Sequence, residues 1–137
     1  MSSNTPKLIV LRTLPEHLDA VAQRQKHAQR GRLRAAQPGD ILLIGLTGSG
    51  MVSYAMRFRG QHRDTSGESE RTWGRRWKYI IEGDCWCELD RPFGPQDERI
   101  TDVALRNYGP GGSFFYVLPE DAEAFRQRGL LGPLLPR

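Results

Sequence analysis

The sequence predicts an α+β fold: a small, strongly curved, mostly antiparallel sheet or open barrel flanked by helices. Three observations predict it. Strand signals outnumber helix signals, several breaks between them are short enough for hairpins, and 137 residues suit a single core. The hydrophobic fraction of 38% and three tryptophans are enough to fill that core. Residues 1–6 are expected to form a disordered polar tail and residues 7–137 one domain.

The elements follow in order. Lys7-Leu8-Ile9-Val10-Leu11-Arg12 is a short apolar run ending at a break, as expected of a buried strand. Thr13-Leu14-Pro15-Glu16 then reads as a helix start. Thr13 is placed to cap, Pro15 suits the first turn, and Glu16 completes a capping box. Leu18, Val21 and Ala22 continue at helical spacing, and the helix is expected to run on through a basic second half to a stop at Gly31. Pro38-Gly39-Asp40 marks a turn, and Ile41-Leu42-Leu43-Ile44 is the strongest strand, expected at the centre of the sheet. A hairpin at Thr47-Gly48-Ser49-Gly50 leads into a strand over residues 51–59. Residues 60–72 are polar and are expected to form a mobile loop. Strands over 77–81 and 85–89, a short helix over 100–108, a loop at 109–112, a strand over 113–118 and a closing helix from Pro119 to Arg128 complete the chain.

Composition narrows the function. The longest apolar run, Ile41–Leu46, is far below the ~18 residues of a membrane span, and the N-terminal residues lack the pattern of a secretory signal. A cytoplasmic protein without membrane contact is expected. Cys85 and Cys87, one residue apart, suit free thiols better than a disulfide. Charge is polarised. No acid lies between Asp19 and Asp40, a stretch holding Arg24, Lys26, Arg30, Arg32 and Arg34, whereas seven acids lie between Glu82 and Asp102. A phosphate-bearing partner on the basic side suits this asymmetry.

The inventory for catalysis is thin. His17, His27 and His62 form no metal-ligand pair, Thr47-Gly48-Ser49-Gly50 lacks the lysine and spacing of a phosphate loop, and the acids Glu82, Asp84, Glu88 and Asp90 alternate as in a half-exposed strand. No catalytic residue, metal or cofactor is expected. Trp73-Gly74-Arg75-Arg76-Trp77 is different: two rings bracket two arginines beside a polar segment, a pattern suited to stacking on bases and pairing with phosphates. Trp73, among polar neighbours, is expected to face a ligand. Trp77, alternating with Tyr79 and Ile81, reads more readily as a core anchor.

The order of these segments resembles the YTH and EVE branch of the PUA-like superfamily. The likeness rests on the opening strand to Arg12-Thr13, the Leu11-Arg12-Thr13-Leu14-Pro15 segment, the Gly39-Asp40 strand, Thr47-Gly48-Ser49-Gly50, and Trp73 with Trp77, and it covers roughly residues 7–81. It implies a PUA-like open pseudo-barrel that takes a modified base, methylated or hydroxymethylated, of DNA or RNA into an aromatic pocket. The same resemblance implies that Trp73 is a pocket wall, that Arg12, Thr13 and Ser49 line the pocket, and that Trp77 is the strand tryptophan. No tryptophan lies between Arg24 and Gln37, where a YTH pocket has one, so Tyr54, Trp86 or His27 is expected to close it. Lys26, Arg30, Arg32, Arg34, Arg75 and Arg76 are the expected phosphate contacts, and a separate nuclease or translocase is the expected effector. Two alternatives stand beside this reading. One is a hydrolase of RNA or modified nucleosides, as in the related ASCH branch, using Lys26, Glu16 or Glu82; the other is a protein-interaction module using the acidic span.

Overall fold

The computed structural model describes residues 6–94 and 114–117 together with positions 123 and 127. Strand β1 (Leu8–Thr13) is apolar on both faces up to Leu11, and all four of its leading side chains are buried. Such a strand needs neighbours on either side. It pairs in parallel with β3 (Ile41–Leu46) and antiparallel with β6 (Phe114–Tyr116). The turn at residues 47–50 returns the chain into β4 (Val52–Arg63), closed by Gly50 N–H to Leu46 C=O and Leu46 N–H to Met51 C=O, both 2.9 Å. Next to β4 lies β5 (Tyr79–Phe93), a long strand whose pairing with β4 shifts register at three places. Such irregularities bend a strand and increase its twist. At one of them Gly83 has no room for a side chain: a β-carbon there would stand 2.7 Å from the Arg57 carbonyl oxygen.

The resulting sheet has the order β2-β5-β4-β3-β1-β6, with all pairs antiparallel except β1 with β3. It curls into a half-barrel with its two edges drawn together. Gly31, just past β2, lies so close to Phe114 that a β-carbon would be 3.1 Å from the ring, and Ala35 N–H donates to the Tyr116 hydroxyl at 3.0 Å. Inside the curl, Ile9, Leu11, Leu33, Leu42, Ile44, Met56, Phe58 and Ile81 form the main core cluster.

Three expected elements differ. The first helix does not run to Gly31: a single 3-10 turn (Pro15–His17) leads into α1 (Leu18–Arg24), which ends at Gln25 in the left-handed region with φ 53°. Thr13 does not cap it; Leu14 stands at the first cap and makes no side-chain hydrogen bond. The following residues become β2 (Lys26–Gln29), paired with β5. The apolar stripe that would hold a longer helix is exhausted by Ala22, whereas β5 offers an open edge and fixes Gln25 from both ends. Gly83 N–H donates to the Gln25 carbonyl at 2.8 Å, and Trp86 N–H to its side-chain Oε1 at 2.9 Å.

The second difference is the expected loop over 60–72. Its first residues extend β4 to Arg63, paired with Tyr79, and its last form α2 (Glu68–Trp73). One carboxylate organises that helix. Asp64 accepts the backbone N–H groups of Ser66, Gly67, Glu68 and Ser69 at 3.0–3.3 Å, together with the Ser69 hydroxyl. These bonds satisfy donors that a helix start otherwise leaves open, and they hold the Asp64 pKa down to about 2. The expected strands over 77–81 and 85–89 are one strand, β5, which begins at Tyr79 and leaves Trp77 in the connection before it. The helix expected over 100–108, the loop at 109–112, the tail at 1–5 and most of the closing helix lie outside the described residues, although 123 and 127 are helical.

Candidate nucleic-acid interface

At one end of the half-barrel, β1 runs out of apolar residues and turns. Arg12, Thr13 and Leu14 from that end, His17 from the 3-10 turn, Val21 from α1, His27, Ala28 and Gln29 from β2, and Trp73 and Trp77 from either side of the α2–β5 connection line one cleft. Its cavity volume is about 50 Å³, a narrow space with room for a few water-sized groups.

Each wall is held in place by the elements behind it. Trp73 is the last residue of α2 and only 7% exposed. Trp77 is half-buried, and its backbone N–H donates to Ser69 Oγ at 2.9 Å, while that hydroxyl donates to Asp64. The carboxylate that starts α2 thereby also positions Trp77. The Arg75 guanidinium sits 4.7 Å from the Trp77 ring centroid, a cation–π contact. On the opposite wall, His27 Nε2 lies 3.1 Å from the Arg12 carbonyl oxygen, a hydrogen bond that ties β2 to the end of β1 across the curl. Burial lowers the His27 pKa to about 4, and the charge of His17 adds to this; the Arg12 carbonyl and the nearby Gln29 side chain pull the other way without reversing it. His27 is therefore neutral at pH 7.

The cleft has unusual polarity. Thr13 Oγ1, His27 Nδ1, Gln29 Oε1, Trp73 Nε1 and Trp77 Nε1 are buried without a hydrogen-bond partner among the described residues, and every one belongs to a residue lining the cleft. Buried polar groups are ordinarily paired, so a concentration of open ones at a single cleft marks a place where a partner belongs.

Of the residues expected in a pocket, the structure brings Trp73, Trp77, Arg12 and Thr13 together, with His27 from the three residues expected to close it. Their burial reverses the expectation, since Trp73 is the more buried and Trp77 the more open of the two. Ser49, Tyr54 and Trp86 lie elsewhere. Ser49 is exposed in the β3–β4 turn, where its hydroxyl accepts Met51 N–H at 3.2 Å. Tyr54 on β4 and Trp86 on β5 stack on each other, centroids 5.3 Å apart and planes 18° off parallel, against the core cluster.

Among the expected phosphate contacts, Arg30, Arg32 and Arg34 are exposed and line a broad open groove with Gly31, Lys78 and Tyr79. The two are neighbours along the chain: Ala28 and Gln29 line the cleft and Arg30 the groove, and Trp77 lines the cleft and Lys78 the groove. Arg75 and Arg76 are exposed, Arg75 over the Trp77 ring. Lys26 is committed, its Nζ 2.9 Å from Glu68 Oε2. The hydrolytic candidates do not meet: Glu16 is exposed, Glu82 pairs with His62 at 3.0 Å, and neither they nor Lys26 line the cleft. In the acidic span, Asp84 is held by Arg57 and Arg59, both at 3.1 Å, which lowers its pKa. Cys85 and Cys87 form no disulfide with each other. No helix of the described residues is long and apolar enough to cross a membrane, and among them no group of three or more His, Cys, Asp or Glu is placed to hold a metal ion.

Gln29, Ala28, His17, Leu14 and Val21 were not expected in the site. For β2 the available signal was weak, because Lys26-His27-Ala28-Gln29 has no apolar alternation. The Asp64–Ser69 support was more visible: Asp64-Thr65-Ser66-Gly67-Glu68-Ser69 has the residue types of a helix start.

No protein-family model matches this chain, and no curated protein matches it. Solved structures do. A structure of ASCH from Zymomonas mobilis superposes with a TM-score of 0.63 at 13% identity over 88% of this chain and 94% of that one. The YTH domain of a Zygosaccharomyces rouxii protein, solved in complex with N6-methyladenosine RNA, gives 0.65 at 10% identity over 93% and 89%. A protein from Agrobacterium tumefaciens gives 0.59 at 16% over 96% and 99%. Identities this low speak for architecture alone, and they agree with the curled, mostly antiparallel sheet described above: the chain has the PUA-like, YTH-type fold.

Proposed function

We infer that this protein binds nucleic acid and reads a modified base, which it takes out of the strand into the Trp73–Trp77 cleft. The observation that carries this reading is the cleft itself: two tryptophans and a set of buried polar atoms without a partner among the described residues converge on one narrow cleft, and the residues that follow its β2 and Trp77 walls in the chain line an arginine-rich groove. The rings supply stacking and apolar surface, the polar atoms supply hydrogen bonds to a base edge, and Arg30, Arg32 and Arg34 meet the phosphates of the flanking strand. A methyl mark adds about 0.8 kcal/mol when it is buried against apolar walls. The YTH neighbour, solved with N6-methyladenosine RNA on the same architecture, supports the reading.

The test is fluorescence anisotropy with single-stranded and duplex oligonucleotides carrying no mark, 5-methylcytosine, 5-hydroxymethylcytosine or N6-methyladenine, at two salt concentrations. Binding is expected to favour single strands and one mark. Stacking of a base on an aromatic ring contributes about 1–3 kcal/mol, so Trp77→Ala is expected to weaken the marked oligonucleotide roughly 5- to 150-fold. Trp77 is half-buried, and circular dichroism checks that the variant is folded. Equal affinity for every oligonucleotide, unchanged in Trp77→Ala, would falsify the reading.

A further inference from the structure

β2 buries two polar side chains two residues apart, His27 at 4% and Gln29 at 1% exposure, on the strand face that lines the cleft. A backbone carbonyl commits one end of each. The Arg12 carbonyl can only accept, so His27 carries its proton on Nε2 and, being neutral, presents Nδ1 as a bare lone pair. Gln29 Nε2 donates to the Gly31 carbonyl, which fixes the amide orientation and leaves Oε1 as the open end. The strand thus holds two buried acceptors on residues that line the cleft, and no hydrogen-bond partner among the described residues meets either. Two acceptors cannot satisfy each other.

The opposite walls have the complementary character. Trp73 Nε1 and Trp77 Nε1 can only donate, and the Thr13 hydroxyl can do either. The cleft therefore matches a ring that donates on the β2 side and accepts on the tryptophan side. An exocyclic amino group next to a ring nitrogen has this pattern, as in cytosine or adenine. A keto base places a third acceptor against β2, and an N-methylated amino group keeps one hydrogen for two acceptors.

Resting on the reading of the cleft as a base pocket, we propose that His27 and Gln29 set its specificity, selecting a base whose exocyclic amino group retains both hydrogens and whose modification lies elsewhere on the ring. Each hydrogen goes to one of the two acceptors. The two residues are specificity determinants whose chemistry is fixed by the carbonyls of Arg12 and Gly31.

The experiment compares bases that differ in this one group. Single-stranded oligonucleotides carry one central 5-methylcytosine or thymine, 5-hydroxymethylcytosine or 5-hydroxymethyluracil, and adenine or N6-methyladenine. The amino base of each pyrimidine pair is expected to bind at least about tenfold tighter than its keto partner, because the keto base leaves buried acceptors unpaired. Adenine is expected to bind no more weakly than N6-methyladenine, and the tighter of the cytosine and adenine arms names the ring. In Gln29→Met and His27→Phe, which remove the acceptors while keeping apolar bulk, the amino-to-keto ratio is expected to fall toward one, with the salt dependence retained. Keto bases bound as tightly as amino bases, or N6-methyladenine bound tightest, would overturn the proposal while leaving a base pocket standing. Indifference to every base would remove the pocket reading as well. The wild-type comparison needs no variant, so it decides the question even where a substitution unfolds the chain.

Discussion

β1 passes through two regions built on opposite rules. Leu8, Ile9, Val10 and Leu11 are fully buried, and Ile9 and Leu11 belong to the core cluster that Leu33, Leu42, Ile44, Met56, Phe58 and Ile81 complete. The next two residues, Arg12 and Thr13, line a cleft in which buried polar atoms have no partner among the described residues. The aromatic residues divide the same way. Tyr54 and Trp86 are packed face to face against the core, whereas Trp73 and Trp77 border empty space, with Arg75 over the Trp77 ring. One end of the half-barrel is saturated by its own chain, and at the other, buried polar atoms stay open among the described residues. On the proposed function, stability and recognition separate along a single strand.

The strongest test of that separation is in the core. Ile44→Ala, at a fully buried β3 position, is expected to lower unfolding free energy by about 2–5 kcal/mol through lost burial and the cavity left behind. Binding of the folded fraction is expected to be unchanged. Urea titration gives the first quantity and anisotropy, corrected for the folded fraction, the second; a loss of affinity beyond that correction would show the two ends to be coupled.

Next in size is an effect of pH that originates in the cleft. The His27 pKa is about 4 in the fold against 6.5 for an ordinary histidine, so the folded protein disfavours the charged form. Above pH 6.5 the stability associated with this group is complete. As the pH falls from 6.5 to about 4, the unfolded chain takes up a proton that the folded one refuses, and roughly 3 kcal/mol is lost. Below about 4 the group contributes no further change. Urea midpoints at pH 7.0, 5.5 and 4.5 are expected to fall more steeply in the wild type than in His27→Phe. Parallel profiles would mean that His27 is hydrated in the folded state and that the cleft is wetter than its burial indicates.

The difference between the two ends also explains what was legible in the sequence. The core end was written as apolar runs: residues 8–11 and 41–44 and the turn at 47–50 name their strands and hairpin directly. Of the cleft residues, Trp73 stood out beside its arginines as a local feature, Trp77 read as a core anchor, and Arg12 and Thr13 were named only through the resemblance to YTH and EVE domains. β2 was not legible. Lys26-His27-Ala28-Gln29 carries no alternation of its own, and its extended form comes from the β5 edge and from Gly83 and Trp86 holding Gln25 in a left-handed turn. Tertiary partners decided that segment, so the two acceptors it presents could not be read as neighbours. The stacking of Tyr54 on Trp86 was hidden for a similar reason, since 32 residues separate them and only the β4–β5 register brings Tyr54 opposite Glu88 and Trp86 within reach.

A smaller effect is expected where the two rules meet. Ser69 is fully buried, donates to Asp64 and accepts from Trp77, so it joins the start of α2 to a cleft wall. Ser69→Ala is expected to cost about 1 kcal/mol, the net worth of a typical hydrogen bond, and also to weaken marked-base binding by releasing Trp77. Ser69→Thr, which keeps the hydroxyl, is expected to restore most of the affinity if its methyl is accommodated. A stability loss with affinity intact would place Trp77 under the control of other contacts.

The smallest effect per substitution belongs to the groove. Arg30, Arg32 and Arg34 are exposed, and each is expected to displace a counterion from a single strand rather than read its sequence. Each phosphate contact on a single strand contributes about 0.7 to the slope of log K against log salt, so replacing one arginine by glutamine is expected to flatten the slope by about that amount and to weaken marked and unmarked oligonucleotides alike. Lys26, already paired with Glu68, is expected to change the slope less than any of the three. The pattern matters more than the size. Cleft substitutions should alter the ratio between marked and unmarked strands and leave the slope alone, and groove substitutions should do the reverse. An arginine whose removal changes the ratio would have to reach the base itself, moving the boundary between reading and holding from Gln29 and Arg30 to a point further along the chain.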